Sequence, residues 1–146
     1  MIFRLNIDSE CKEEIIANVH ERTPLVNEIE KLVMQDGMPN QLTGYTEDEI
    51  VMLDILDVEC FVVEEEKTFA LYKNGKRYQI RKRLYEIEKI LPADYIRLSK
   101  SAIANRKKIV KYKVQFSGAV DAVFESGNTE CISRRCFADL KRRYGL

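Results

Sequence analysis

The chain should fold as a mainly β protein, α+β overall, with its helices at the margins. Three observations predict this. From about Tyr45 onward, apolar residues come in short runs, many alternating with polar ones, as strands require. Asn74-Gly75, Ser117-Gly118 and Ser126-Gly127-Asn128 carry the turn chemistry that joins such runs into hairpins. Helical spacing is confined to the stretches near residues 24–33, 82–91 and 134–144.

Taken in order, Ile2–Ile7 alternates Phe3, Leu5 and Ile7 with Ile2, Arg4 and Asn6, a period of two that predicts a strand. Glu14–His20 predicts a second, with Ile15, Ala17 and Val19 on one face. Thr23-Pro24 then opens a helix, Thr as N-cap and Pro at the first helical position. Leu25, Val26, Ile29, Leu32 and Val33 follow at helical spacing, and Gly37 and Pro39 end the segment. Residues 1–44 thus read as a small acidic strand-strand-helix unit.

Residues 45–146 read as a separate, strand-rich domain. Ile50–Leu53, Val58–Val63, Thr68–Tyr72 and Lys76–Ile80 are its first strands, the last two joined at Asn74-Gly75. A type I′ turn there needs positive φ at both central residues. A short helix over 82–91 turns Leu84, Ile87 and Leu91 inward, and Pro92 stops it. Ile96–Leu98 and Ala102–Ala104 flank the polar Ser99-Lys100-Ser101. Ile109–Phe116, Ala119–Phe124 and Glu130–Ile132 complete the strands. A helix from Arg134 to Tyr144 closes the chain, with Ser133 as N-cap and Gly145 as C′ residue.

At 146 residues, the length permits one core with a small appendage. With 45% hydrophobic and 33% charged residues the composition is that of a soluble globular protein. No apolar run approaches the roughly 20 residues that cross a bilayer, and no secretory h-region opens the chain. Cys11, Cys60, Cys131 and Cys136 form no CxxC pair, so they read as reduced thiols, mostly core, in a cytoplasmic protein. Those cysteines and the single His20 make a poor metal site, and no metal or cofactor is expected.

The zero net charge hides a division. Residues 1–66 hold 17 Asp/Glu against 4 Lys/Arg, a balance of −13, and residues 67–146 hold 20 Lys/Arg against 7 Asp/Glu, a balance of +13. A basic stretch of this size either meets a polyanion, nucleic acid first, or pairs with the chain's own acidic part. Catalysis has little support. GxSxG, HExxH, P-loop and GxGxxG motifs are absent, no nucleophile–base pair stands out, and Glu64-Glu65-Glu66 reads as a solvated loop. The chain is not expected to be an enzyme.

The cations gather in four places: Lys67 beside Thr68; Arg97 through Ser99, Lys100 and Ser101; Arg106, Lys107 and Lys108; and Ser133-Arg134-Arg135. Each lies in a predicted loop or at an element end, and most set hydroxyl donors beside the cations, groups that hold phosphate oxygens and reach base edges. The last also opens a helix, where free N–H groups favour an anion. With so few helices, and those occupied by core positions, a helix-turn-helix reader is not expected.

The stretch Leu84-Tyr85-Glu86-Ile87-Glu88-Lys89-Ile90-Leu91-Pro92, then Tyr95-Ile96-Arg97-Leu98-Ser99-Lys100-Ser101-Ala102-Ile103-Ala104-Asn105, resembles the LytTR DNA-binding domain. That family carries a short helix ending in Leu-Pro, a pattern like F-x-R-x-H-R-S-x-x-V-N, and a V-S-R-R-like opening to its last helix, here Ile132-Ser133-Arg134-Arg135. The resemblance spans about residues 45–146. It implies an elongated, mostly β fold that contacts successive major grooves through loops between strands. Carried over by position, these loops hold Lys67 and Thr68, then Ser99 and Lys100, then Arg134 and Arg135; Arg97, Ser101 and Asn105 match recurring polar positions. Ser101 and Asn105 are expected to hold the turn through backbone hydrogen bonds. Ser99-Lys100 replaces the family's His-Arg, and a lysine without the guanidinium fork suits phosphate better than a base edge.

Many members of this response-regulator-like family carry a receiver domain upstream. Residues 1–44 are too short for one, so the chain resembles the stand-alone subgroup, which implies at family level a small membrane-protein partner. The expected function is a sequence-specific, duplex-DNA-binding transcriptional regulator. It would act as a homodimer on paired half-sites, with Arg106 and Lys107 as further phosphate contacts and residues 1–44 serving dimerisation or signal input. The alternative is a protein-interaction or anti-regulator module whose basic face meets an acidic partner.

Overall fold

The computed structural model describes residues 2–12, 14–35 and 41–146. It divides into two compact units, residues 1–36 and 37–146. Among its described residues the first contains one helix, α1 (Pro24–Gln35). The Thr23 hydroxyl accepts from Val26 N at 3.3 Å and the Thr23 carbonyl accepts from Asn27 N at 3.1 Å, which starts the helix at Pro24. The two strands expected before it do not form: among the described residues of 2–20 none is in a strand. Period-two patterning makes a strand only when a neighbouring strand takes its backbone groups. Here none does, and Phe3, Leu5, Ile7, Ile15 and Ile16 stay exposed. Gly37 and Pro39, expected to end the helix, lie outside the described residues.

The second unit is mainly β, built on a seven-stranded antiparallel sheet of order β2-β1-β5-β4-β3-β7-β6 and a three-stranded sheet of order β10-β9-β8. In chain order these are β1 (Gln41–Tyr45), β2 (Ile50–Asp54), β3 (Val58–Glu64), β4 (Lys67–Tyr72), β5 (Arg77–Ile80), β6 (Tyr95–Ser99), β7 (Ala102–Asn105), β8 (Ile109–Val114), β9 (Val120–Phe124) and β10 (Thr129–Ile132). Helix α2 (Leu84–Ile90) links β5 to β6, and α3 (Arg134–Tyr144) closes the chain. The sheet begins earlier than a division at residue 45 implies, because β1 pairs with β2 and with β5. The sequence concealed this strand. Gly44 and Thr43 weaken its apolar pattern, yet Gly44 is needed there: a Cβ would lie 2.8 Å from Leu53 Cδ1 and from Tyr78 Cβ.

Alternation along the central strands loads both faces of the large sheet. Cys60, Val62 and Leu71 face a core shared with Ala122 and Phe124 of β9, Ile132 of β10 and Leu140 of α3. Phe61, Ala70 and Tyr78 face a second core with Leu84 and Ile87 of α2. Cys60 is the one buried cysteine; Cys136 is half-buried, and Cys11 and Cys131 are exposed, so the thiols are less a core feature than their residue type implied. Burial pushes the Cys60 thiol well above its ordinary pKa.

The turns follow glycine. In the Asn74-Gly75, Ser117-Gly118 and Ser126-Gly127 turns the glycine alone has positive φ, and its N–H bonds back to Tyr72, Gln115 or Phe124. These are three-residue loops with a left-handed glycine, not the type I′ turn expected at Asn74-Gly75. The two-residue loop with both central φ positive occurs at Glu65-Glu66, between β3 and β4. At the C-terminus Ser133 caps α3 through Cys136 N at 3.2 Å, and Gly145 adopts the left-handed conformation with φ 66°.

Candidate nucleic-acid interface

Two backbone hydrogen bonds join three loops at one end of the second unit. Val63 N, beside the β3–β4 turn, donates to Ser101 O in the β6–β7 turn at 2.8 Å. Ser133 N, at the start of α3, donates to Leu98 O on β6 at 2.8 Å. Lys67, Lys100, Arg134 and Arg135 are exposed on this continuous row, and none forms an ion pair among the described residues.

The β6–β7 loop is held from beneath. Arg97 reaches along the β6–β7 hairpin and donates to Lys100 O at 2.9 Å and to Glu88 on α2 at 2.7 Å. Its guanidinium is thereby spent on shaping the loop that presents Lys100. The Ser99 hydroxyl accepts from Ser101 N at 3.2 Å, so Ser99 also belongs to the turn. Asn105 is buried, its carbonyl oxygen accepting from Lys107 N at 3.1 Å and its amide donating to Leu56 O at 3.4 Å. Thr68 is only 5% exposed and sits inside the sheet, paired with Ile80 on β5. Its place two residues past the turn points it inward when Lys67 points outward, so it is not available to a partner.

Arg106 and Lys107 do not join the row. They follow Asn105, which pairs with Tyr95, whereas Ser99 pairs with Ala102 beside the turn. The length of the hairpin, about 13 Å at the rise of a strand, lies between. Arg106 stacks on the Tyr144 ring at 4.1 Å, and Lys107 pairs with Asp94 at 3.1 Å. A cation run adjacent in sequence to β7 is thus carried to its opposite end, which residue spacing could not reveal without the register.

Acidic groups border the row. Glu65 and Glu66 form the β3–β4 turn itself, and Glu64 pairs with Arg77 at 2.9 Å. Glu130 on β10 is half-buried; burial, then the nearby Glu64 carboxylate, raises its pKa above the usual value. The sequence marks Glu64-Glu65-Glu66 as a loop, but not the tight two-residue turn at Glu65-Glu66, because neither residue is a turn former and pairing extends to Glu64 and Lys67.

The LytTr DNA-binding domain family model matches residues 48–145. The chain belongs to the LytTR family. An uncharacterized HTH-type transcriptional regulator of Staphylococcus aureus strain NCTC 8325 / PS 47 is 31% identical over 129 residues, 88% of this chain and 82% of the relative. One from strain MSSA476 is 30% identical over 99% of this chain and 100% of its own length. A LytTr DNA-binding domain from Bacillus cereus has the same fold, with a TM-score of 0.67 and 19% identity over 74% of this chain and 99% of that one. Five strands separate α2 from α3, and there is no helix-turn-helix among the described residues. No helix among them is long and apolar enough to cross a membrane.

Proposed function

We propose that the chain is a sequence-specific transcriptional regulator that reads duplex DNA with the row formed by Lys67, Lys100, Arg134 and Arg135. One observation carries this: the Val63–Ser101 and Ser133–Leu98 hydrogen bonds bring three separate segments, bearing Lys67, Lys100 and Arg134-Arg135, to one end. Arg134 and Arg135, with a bidentate fork and a helix start behind them, are assigned to base edges in a major groove. Lys67 and Lys100 are assigned to flanking phosphates and Ser99, Ser101 and Arg97 to support of the β6–β7 loop, whereas Asn105 holds the turn at the far end of that hairpin. The regulator names of the matched relatives favour the same reading.

Dimerisation belongs to the first unit in this proposal. The apolar stripe of α1, Leu25, Ile29, Leu32 and Val33, has no buried member, and an isolated helix of 12 residues is marginal in water. Pairing with a second copy would cover it and double the DNA contacts. Light scattering on the full chain carrying Leu25→Asp and Leu32→Asp should report half the parent mass; an unchanged mass moves the dimer contact elsewhere.

Salt titration of binding to a duplex selected from a random pool tests the DNA reading. Affinity should fall by about 0.9 decade per decade of salt for each phosphate held, with a preference for the selected duplex retained. If no duplex is enriched over background at low salt, the reading fails. Capture of an acidic protein by the same row, with no duplex bound, would establish the interaction-module alternative.

A further inference from the structure

Beside the Arg134 end of the row lies a cleft of about 200 Å3 that DNA contact does not explain. Its floor is apolar: Val120 and Ile132, register partners on β9 and β10, with Ala119 at the rim. Its wall is one face of α3, because Arg134, Phe137, Ala138 and Lys141 recur at the spacing of neighbours on a helix. Phe137 is anchored from behind by Tyr112, ring centroids 6.1 Å apart.

Charge gives the cleft a chemical preference. Arg134 and Lys141 stand at its two ends, about 10 Å apart along the helix axis. Neither is neutralised by a carboxylate among the described residues, and Lys141 lies over the Phe137 ring at 5.1 Å. The nearby acids are engaged elsewhere: Asp139 pairs with Arg142, and Asp121 with the Gln115 amide. No carboxylate among the described residues lines the cleft. An apolar slot with uncompensated cations at its rim suits a ligand with an apolar body and one anionic group.

We propose that this cleft binds a small aromatic carboxylate, its ring between Val120, Ile132 and Phe137 and its carboxylate on Arg134 or Lys141. This goes beyond DNA binding but meets it at Arg134: a bound carboxylate occupies a guanidinium that the proposed function gives to DNA. Ligand and duplex therefore compete, and the cleft becomes an input that releases the regulator. That consequence rests on the proposed function; the site itself does not.

The test uses the full chain, labelled with 15N, titrated with 1-naphthoate and with the uncharged 1-naphthalenemethanol. Naphthoate should shift the amides of Ala119 and Ala138 and bind about tenfold more tightly than the alcohol, the worth of one charge-assisted contact. Ala138→Leu fills the slot with a good helix former at an exposed position, and should weaken naphthoate about tenfold with the remaining spectrum unchanged. Lys141→Gln should narrow the acid–alcohol difference while leaving alcohol affinity in place. Equal affinity for acid and alcohol, or undiminished binding in Ala138→Leu, overturns the proposal. These readouts need no DNA, so failure of the DNA reading and failure of the site are told apart. With the selected duplex present, excess naphthoate should weaken DNA binding of the parent and spare Ala138→Leu.

Discussion

The carboxylate of Glu59 on β3, 1% exposed, accepts hydrogen bonds from both the backbone N–H of Ser126, at 3.0 Å, and its hydroxyl. Ser126 lies in the β9–β10 turn, so this contact ties the small sheet to the large one across 67 residues of sequence. It fixes the sheets whose shared core supports α3, and with it the presentation of Arg134.

Removing the carboxylate breaks both bonds to Ser126, an exposed turn residue whose N–H and hydroxyl then turn to water, and leaves the buried Glu59 position empty. Glu59→Ala should therefore cost about 1.5–3 kcal/mol in urea denaturation, the worth of a hydrogen bond to a charged group. Glu59→Gln keeps an acceptor oxygen for Ser126 N and should cost less. Equal losses for the two variants would show that packing, not hydrogen bonding, is at stake.

The β3–β4 turn stores strain. Glu65 at φ 50° and Glu66 at φ 65° occupy a region that costs non-glycine residues about 1 kcal/mol or more each. Replacing the pair by Asn-Gly, the residues a two-residue hairpin prefers, should stabilise the domain by about 1 kcal/mol in thermal unfolding. It also removes two anions beside Lys67, so duplex affinity should rise at low salt and converge with the parent at high salt. Stabilisation without that salt-dependent gain would place the turn away from DNA.

Glu130 makes stability depend on pH in a defined direction. Its raised pKa means the folded chain holds the proton more tightly than the unfolded chain. Stability contributed by the protonated form is present below the ordinary carboxylate range and is lost as pH rises through the folded value. Glu130→Gln should flatten this slope, melting above the parent at neutral pH and level with it near about pH 3. The effect should be small, since the group is half-exposed.

Much of the second unit was legible because its code is local. Glycine marked three hairpins, Ser133 and Gly145 bounded α3, and alternation located the central strands. What was not legible depends on pairing. Alternation in Ile2–Ile7 looks the same whether or not a neighbour accepts its hydrogen bonds, and Glu65-Glu66 turns because β3 and β4 pair around it. The candidate site divided in the same way. Lys67, Lys100, Arg134 and Arg135 were found as exposed cations in loops. That Thr68 turns inward, that Arg97 is committed to Glu88 and the Lys100 carbonyl, and that Arg106 lies at the far end of its hairpin all follow from register.

If one end of the LytTR domain reads DNA, Arg134, Arg135 and Lys107 separate that end from a diffuse basic surface. Fluorescence anisotropy should compare each alanine variant on the duplex selected by the parent and on an unrelated duplex. Arg134→Ala and Arg135→Ala are predicted to cost about 1–3 kcal/mol on the selected duplex and to flatten the preference between the two. Lys107→Ala, at the opposite end of the β6–β7 hairpin, is predicted to leave both affinities near the parent's. Equal losses from all three variants on both duplexes would mean that a diffuse basic surface, not one end of the domain, holds DNA.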